Sequence, residues 1–136
     1  MIKRSRKYSK IRTLSKKYAD YSSMLFIGRR YGFPVALEGA LKLKELSYIH
    51  AEGYAAGELK HGPLALIDKN LPVVAIVPKD DLFEKTLSSI EEVKARKGKV
   101  IAITDTKSAA VADLANDILY VPKTIPQLQP VLSAVA

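Results

Sequence analysis

Cysteine is absent from the 136 residues, which excludes disulfides, thiolate metal sites and cysteine nucleophiles and suits a reducing cytoplasm. Histidine occurs only at His50 and His61, with no metal-ligand spacing around either, so no metal site is expected. No apolar run approaches the roughly 18 residues that a membrane-crossing helix requires. The basic opening MIKRSRKYSK is not followed by the apolar region of a secretion signal. Also missing are the G-x-G-x-x-G and Walker phosphate cradles, so neither a dinucleotide nor a nucleoside triphosphate is expected. There is no internal repeat and no low-complexity tract. These absences point to a soluble, unexported, cytoplasmic protein that does not bind a membrane.

What is present fits one globular domain. At 48% hydrophobic residues the chain can build a sizeable core, since a domain of this length buries about two-thirds of the surface its unfolded form exposes. The net charge of +8 is local. Lys3, Arg4, Arg6, Lys7, Lys10, Arg12, Lys16 and Lys17 face a single acid, Asp20, within the first twenty residues. Tyr8, Ile11, Leu14, Tyr18 and Tyr21 recur at spacings of three and four, one apolar stripe of a helix. Residues 1–22 are therefore expected to form a basic amphipathic helix packed on the domain. A phosphate backbone or an anionic partner is the alternative, but a basic helix alone is a weak signal and nucleic acid is not expected.

Strand and helix then alternate. Ser23–Gly28 and Pro72–Pro78 are apolar runs closed by glycine or proline, as is KVIAIT at 99–104, and DILYV at 117–121 is a further strand. Pro34 suits the first turn of a helix running to about Ile49. Asp80 or Asp81 can cap a helix with Leu82, Phe83, Leu87, Ile90 and Val93 inward, ending at Lys94, Arg96 and Lys97 before Gly98. A short helix is expected at 108–116 and another from Gln127. Residues 50–63, with Gly53, Gly57, Gly62 and Pro63, are expected to be broken helix and loop. Continuous apolar strands separated by helices imply an α/β fold, a doubly wound parallel sheet covered on both faces. In such sheets ligands sit at the carboxyl ends of strands, which directs attention to the loops at 29–33, 79–81 and 105–108.

Glu38, Lys42 and Glu45 stand at i, i+4 and i+7, on one face of the second helix. On a solvated face this is a pair of ion pairs worth about a few tenths of a kcal/mol each. The surrounding Ala36, Gly39, Ala40, Leu41, Leu43 and Leu46 suggest instead a helix largely enclosed, where a carboxylate beside an ammonium can become a proton-transfer base. In the following loop Glu58, Lys60 and His61 sit between Gly57 and Gly62-Pro63, and a histidine there can move protons near neutrality. Nothing comparable lifts His50.

The stretch ALEGALKLKELSYIHAEGYAAGELKHGPLALID, residues 36–68, resembles the signature of the second sugar-isomerase (SIS) domain in the glucosamine-6-phosphate synthase family, the isomerizing glutamine:fructose-6-phosphate aminotransferases. FIGRRYGFPVALEGALKLKELSY and NLPVVAIVPKDDLFEKTLSSIEEVKARKGKVIAITD extend the likeness, which is nearly continuous from about Ser23. The resemblance implies a SIS domain over 23–136 with a flavodoxin-like three-layer sandwich, and chemistry that needs no cofactor. It implies that Glu45 moves a proton between C1 and C2 of fructose 6-phosphate or glucosamine 6-phosphate, with Lys42 and Glu38 lining the same site. His61 is implied to open the sugar ring, reaching the site of a neighbouring subunit in a homodimer, with another SIS domain as further partner. The family's cysteine-dependent glutaminase step has no counterpart in this sequence. The serine- and threonine-rich phosphate grip is also missing, since KDDLFEKT at 79–86 offers acids that would repel a phosphate. In the family the chain continues beyond the position of Ala136 into a tail that supplies a lysine to the site. A piece of the larger enzyme, truncated at its C-terminus and with little turnover alone, is therefore expected. Two other readings are a SIS module that binds a phosphorylated sugar in a regulatory role, and an interaction protein acting through its basic helix.

Overall fold

The computed structural model describes residues 2–135, with side chains from Tyr8 onward, so the basic groups expected at Lys3, Arg4, Arg6 and Lys7 lie outside the described residues. Five strands form one sheet in the order β2-β1-β3-β4-β5, every neighbouring pair parallel. They are β1 (Ser23–Gly28), β2 (His50–Ala55), β3 (Val73–Ile76), β4 (Val100–Thr104) and β5 (Asp117–Tyr120). The helices are α1 (Ile2–Tyr18), α2 (Gly32–Ser47), α3 (Phe83–Ala95), α4 (Ala109–Leu114) and α5 (Gln129–Ala134). The strand order reverses beside β1, which makes the sheet doubly wound.

The strands are apolar on both faces because both faces are covered. Leu25, Ile27, Val73, Ala75, Val100 and Ala102 pack with Phe83, Leu87, Ile90 and Val93 of α3 and Val111 of α4. On the opposite face Met24, Val74 and Ile101 pack with Leu14 and Tyr18 of α1, and Ile76 packs with Val35 and Ala36 of α2. The result is a three-layer α/β sandwich. The basic helix is moored at its far end: Asp117 Oδ2 accepts from Tyr18 Oη at 2.7 Å and from Lys17 Nζ at 2.6 Å. Asp80 rather than Asp81 organises the start of α3, accepting from Leu82 N–H at 2.9 Å, while Asp81 faces Arg30 at 3.6 Å.

Two expectations are overturned. Residues 50–55 form an edge strand, not broken helix and loop, and irregular backbone begins only at the 3₁₀ segment Ala56–His61. The strand lacks β-branched residues because α2 crosses very close to it. A Cβ on Gly53 would lie 2.9 Å from Leu37 Cα and N and 3.0 Å from Ala36 C. Small residues at the crossing are what close approach demands, and they erase the usual strand pattern. The second correction concerns α2 itself, which is not largely enclosed. Val35, Ala36 and Ala40 are buried, but Leu41 is 43%, Leu46 81% and Tyr48 93% exposed. The helix covers β1 and β2 with one stripe, and among the described residues nothing packs on its outer side.

Candidate active site

Helix α2 brings three of the expected site residues together. Lys42 Nζ lies 2.8 Å from Glu45 Oε2 and 3.8 Å from Glu38 Oε1. The spacing produces this directly, since i, i+3 and i+4 neighbours share a helix face. The hydrogen bond to Glu45 first, and the attraction of both carboxylates after it, hold the Lys42 ammonium above its ordinary value. All three side chains are about half exposed, at 52% for Glu38, 53% for Lys42 and 51% for Glu45. In this chain they form a solvated ladder rather than a desolvated dyad.

Glu38 and Lys42 border a groove of about 370 Å³ between α2 and α5, floored by Phe26, Val35, Ile76 and Ile103 and bounded by Ser133 and Ala134. It adjoins a smaller cleft of about 90 Å³ at the carboxyl ends of the strands, with Val35, Ile76 and Ser133 common to both. The loops singled out from the sequence meet in this cleft through Tyr31, Lys79, Asp80 and Asp105. The C-terminal segment completes it, a feature the sequence reading missed. There Gln129 accepts from Thr124 N–H at 3.1 Å and donates to Pro122 O at 3.2 Å. Asp105 accepts from Lys79 N–H at 2.8 Å, so this carboxylate is occupied by backbone. Small-molecule sites usually enclose about 300–1,000 Å³, which makes the α2–α5 groove, not the cleft, the ligand-sized space beside the ladder. A larger space of about 580 Å³ beneath α1 is lined by Leu14, Met24, Leu43 and Ile101 and carries no charged side chain.

His61 is elsewhere. It ends the 3₁₀ segment Ala56–His61, whose Leu59 is fully buried in the α3-side core and whose Lys60 pairs with Glu92 at 2.9 Å. The imidazole is 74% exposed, 3.9 Å from Glu58. It therefore stands on the α3 side of the sheet, across from the Glu38–Lys42–Glu45 ladder. His50 faces Glu52 at 3.6 Å, and Glu52 also accepts from Tyr54 Oη, a row on alternate residues of β2. Period-two spacing is the available signal for that row, hidden by Ala51 and Gly53 between. Among the described residues no cluster of three or more His, Asp or Glu side chains is arranged to hold a metal ion. No described helix is long and apolar enough to cross a membrane.

Residues 17–136 match the SIS domain family. The chain belongs to the SIS domain family. This SIS domain is 55% identical over 122 residues to the glutamine–fructose-6-phosphate aminotransferase [isomerizing] of Thermus thermophilus, covering 90% of this chain and 20% of that protein. It is 61% identical over 104 residues to the protein of that name from Agrobacterium fabrum, covering 76% and 17%. Among solved structures, the C-terminal domain of glucosamine-fructose-6-phosphate aminotransferase from Francisella tularensis superimposes with a TM-score of 0.84 at 46% identity, over 93% of this chain and 36% of that one. The SIS domain spans about a fifth of the length of the curated relatives it matches.

Proposed function

We propose that this SIS domain is the isomerase part of a glutamine–fructose-6-phosphate aminotransferase, binding fructose 6-phosphate or glucosamine 6-phosphate in the cytoplasm. The observation that carries this is the Glu38–Lys42–Glu45 ladder, whose Glu38 and Lys42 border a ligand-sized groove and whose Glu45 is hydrogen-bonded to Lys42, in a chain 55% identical to such an enzyme. Glu45 is the base. On the open-chain ketose it takes the proton from C1, an enediol-type intermediate forms, and the proton returns to C2 to give the aldose. Lys42, held protonated by its two carboxylates, offers positive charge where the sugar oxygens become negative, and Glu38 fixes its position. His61 opens the sugar ring. Its place across the sheet suits action on the site of a neighbouring subunit. The half-exposed ladder and the bare outer side of α2 support completion by another SIS domain in a homodimer, so the chain alone is expected to turn over little substrate.

The test is an NMR titration of the labelled chain with fructose 6-phosphate and with glucose 6-phosphate, with inorganic phosphate as the control, repeated on Glu45→Gln. Shifts centred on residues 35–45, absent with phosphate and altered in the variant, are the expected outcome. Shifts reproduced by phosphate alone, or none at millimolar sugar phosphate, would overturn the reading of this groove as a sugar site.

A further inference from the structure

We infer that Arg29 is the positioning residue for the segment that presents His61, an inference that rests on the reading of His61 given above. Strands β1 and β2 run in register up to Gly28 beside Ala55, so Arg29 and Ala56 leave the sheet together. The Arg29 guanidinium lies at the root of the Ala56–His61 segment. Its Nη2 donates to Ser89 Oγ at 3.0 Å, and Ser89, buried on α3, is within 3.1 Å of Ala56 O as donor. The hydroxyl has one hydrogen and two acceptors, Ala56 O at 3.1 Å and Lys85 O of its own helix at 3.3 Å, and the arginine bound to its oxygen holds it at the nearer of the two. Nη1 lies against the next residue, where a Cβ on Gly57 would come within 2.9 Å of it.

Stability does not explain an arginine here. Arg29 is half-buried, no carboxylate lies within ion-pair distance among the described residues, and its buried Nε has no hydrogen-bond partner. A partly desolvated cation without a counter-ion, carrying an unpaired N–H, opposes folding, and an apolar chain of similar length would not. Rule-breaking of this kind is expected where function sets the requirement. What the arginine supplies is a rigid fork that joins α3 to the start of the segment. Farther along, buried Leu59 and the Lys60–Glu92 pair fix the middle. Glu58, Lys60 and His61 are turned outward, with side chains 67%, 68% and 74% exposed, and of these Lys60 is held by Glu92. The histidine thus stands on a pedestal anchored at its root by Arg29.

Amide hydrogen exchange and relaxation of the His61 ring, read by NMR on this chain, test the inference without any sugar phosphate, so its failure is separate from failure of the substrate reading. Arg29→Met is expected to leave the melting temperature unchanged or higher while amides 57–61 exchange about tenfold faster, the loss that one charge-assisted hydrogen bond implies. Ser89→Ala is expected to accelerate the same amides with Arg29 intact, and the double variant to add little, because both belong to one network. Arg29→Lys, which keeps the charge but not the fork, is expected to behave like Arg29→Met. His61 ring motion should increase in all of them. Unchanged protection at 57–61, or a loss spread evenly over β1 and α3, would overturn the inference. If Arg29→Met does not fold, Ser89→Ala and the single methyl of Gly57→Ala decide it by the same readout.

Discussion

Replacing Gly53 by alanine tests how α2, and with it the whole ladder, is held. The added Cβ would sit 2.9 Å from Leu37 Cα and N and 3.0 Å from Ala36 C, all backbone atoms of the helix. Non-bonded carbons rest at about 3.5–4.0 Å, so the helix must lift by roughly 0.5–1 Å. No side chain can give way in its place, and Ala36 and Ala40, at 0% and 2% exposure, already line the contact with minimal bulk. Overpacking of this kind costs about 1–3 kcal/mol. The gain from a stiffer unfolded chain returns about 0.4–1 kcal/mol. The net loss is about 1–2 kcal/mol, or roughly 3–8 °C in melting temperature for a domain of this size. A guanidinium titration measures the loss, and amide spectra of residues 32–47 report the displacement. Glu38, Lys42 and Glu45 are expected to keep their mutual contacts while their separation from α5 changes. An unchanged midpoint together with unmoved α2 resonances would refute the argument, since it would mean that the helix does not rest on β2 at this distance.

Three further outcomes are expected. Asp117→Ala removes the acceptor from the Tyr18 hydroxyl, which is only 4% exposed, and costs about 1–3 kcal/mol. Tyr18→Phe costs less, and a denaturant-based double-mutant cycle should be clearly non-additive; simple additivity would show that the two groups are not coupled. Burial first, and the Asp117 carboxylate second, keep the Tyr18 phenol protonated above its ordinary value of 10.0. The folded state then holds that proton longer than the unfolded state, so stability is complete below about pH 10 and falls as pH rises beyond it. Melting curves across the alkaline range should show this fall, and Tyr18→Phe should lessen it. Lys42, raised mainly by its hydrogen bond to Glu45, is expected to titrate at lower pH in Glu45→Gln. Side-chain NMR that finds its titration unmoved would dissociate the pair.

The sheet was largely legible. β1, β3 and β4 are apolar runs because both of their faces are covered, and the sequence bounds them with glycine, proline or charge. β2 was not legible, since its composition answers to the closeness of α2 rather than to strand preference. The ladder could be read from spacing alone because helix geometry fixes which residues are neighbours. Its exposure could not. Leu41 and Leu46 are written in the alphabet of a buried helix, but apolar side chains show where a neighbour would be accepted, not that this chain supplies one. The end of α3 shows the same limit on a small scale. Gly98 looked like the left-handed terminator, but Lys97 adopts that conformation, with φ of 63°. Gly98 is required because a Cβ there would meet Ile67 and Val93 at 2.7 Å. Arg29 is legible only as the start of a loop at a strand end, and its own role has no signal, because an arginine after a strand has no distinctive pattern until Ser89 and Ala56 are brought beside it by the fold.

The mooring of α1 also sets an order of events during synthesis. Lys17 and Tyr18 leave the ribosome well before their anchor Asp117, which follows 100 and 99 positions later. At about 5–20 residues per second, translation leaves a gap of roughly 5–20 s in which the helix has no berth. β1 must likewise wait for β2 and then β3, since a parallel sheet offers no hairpin to shelter in. During that interval the nascent chain carries Leu14, Tyr18, Met24 and Phe26 without the later strands that cover them, until β5 closes the fold around α1.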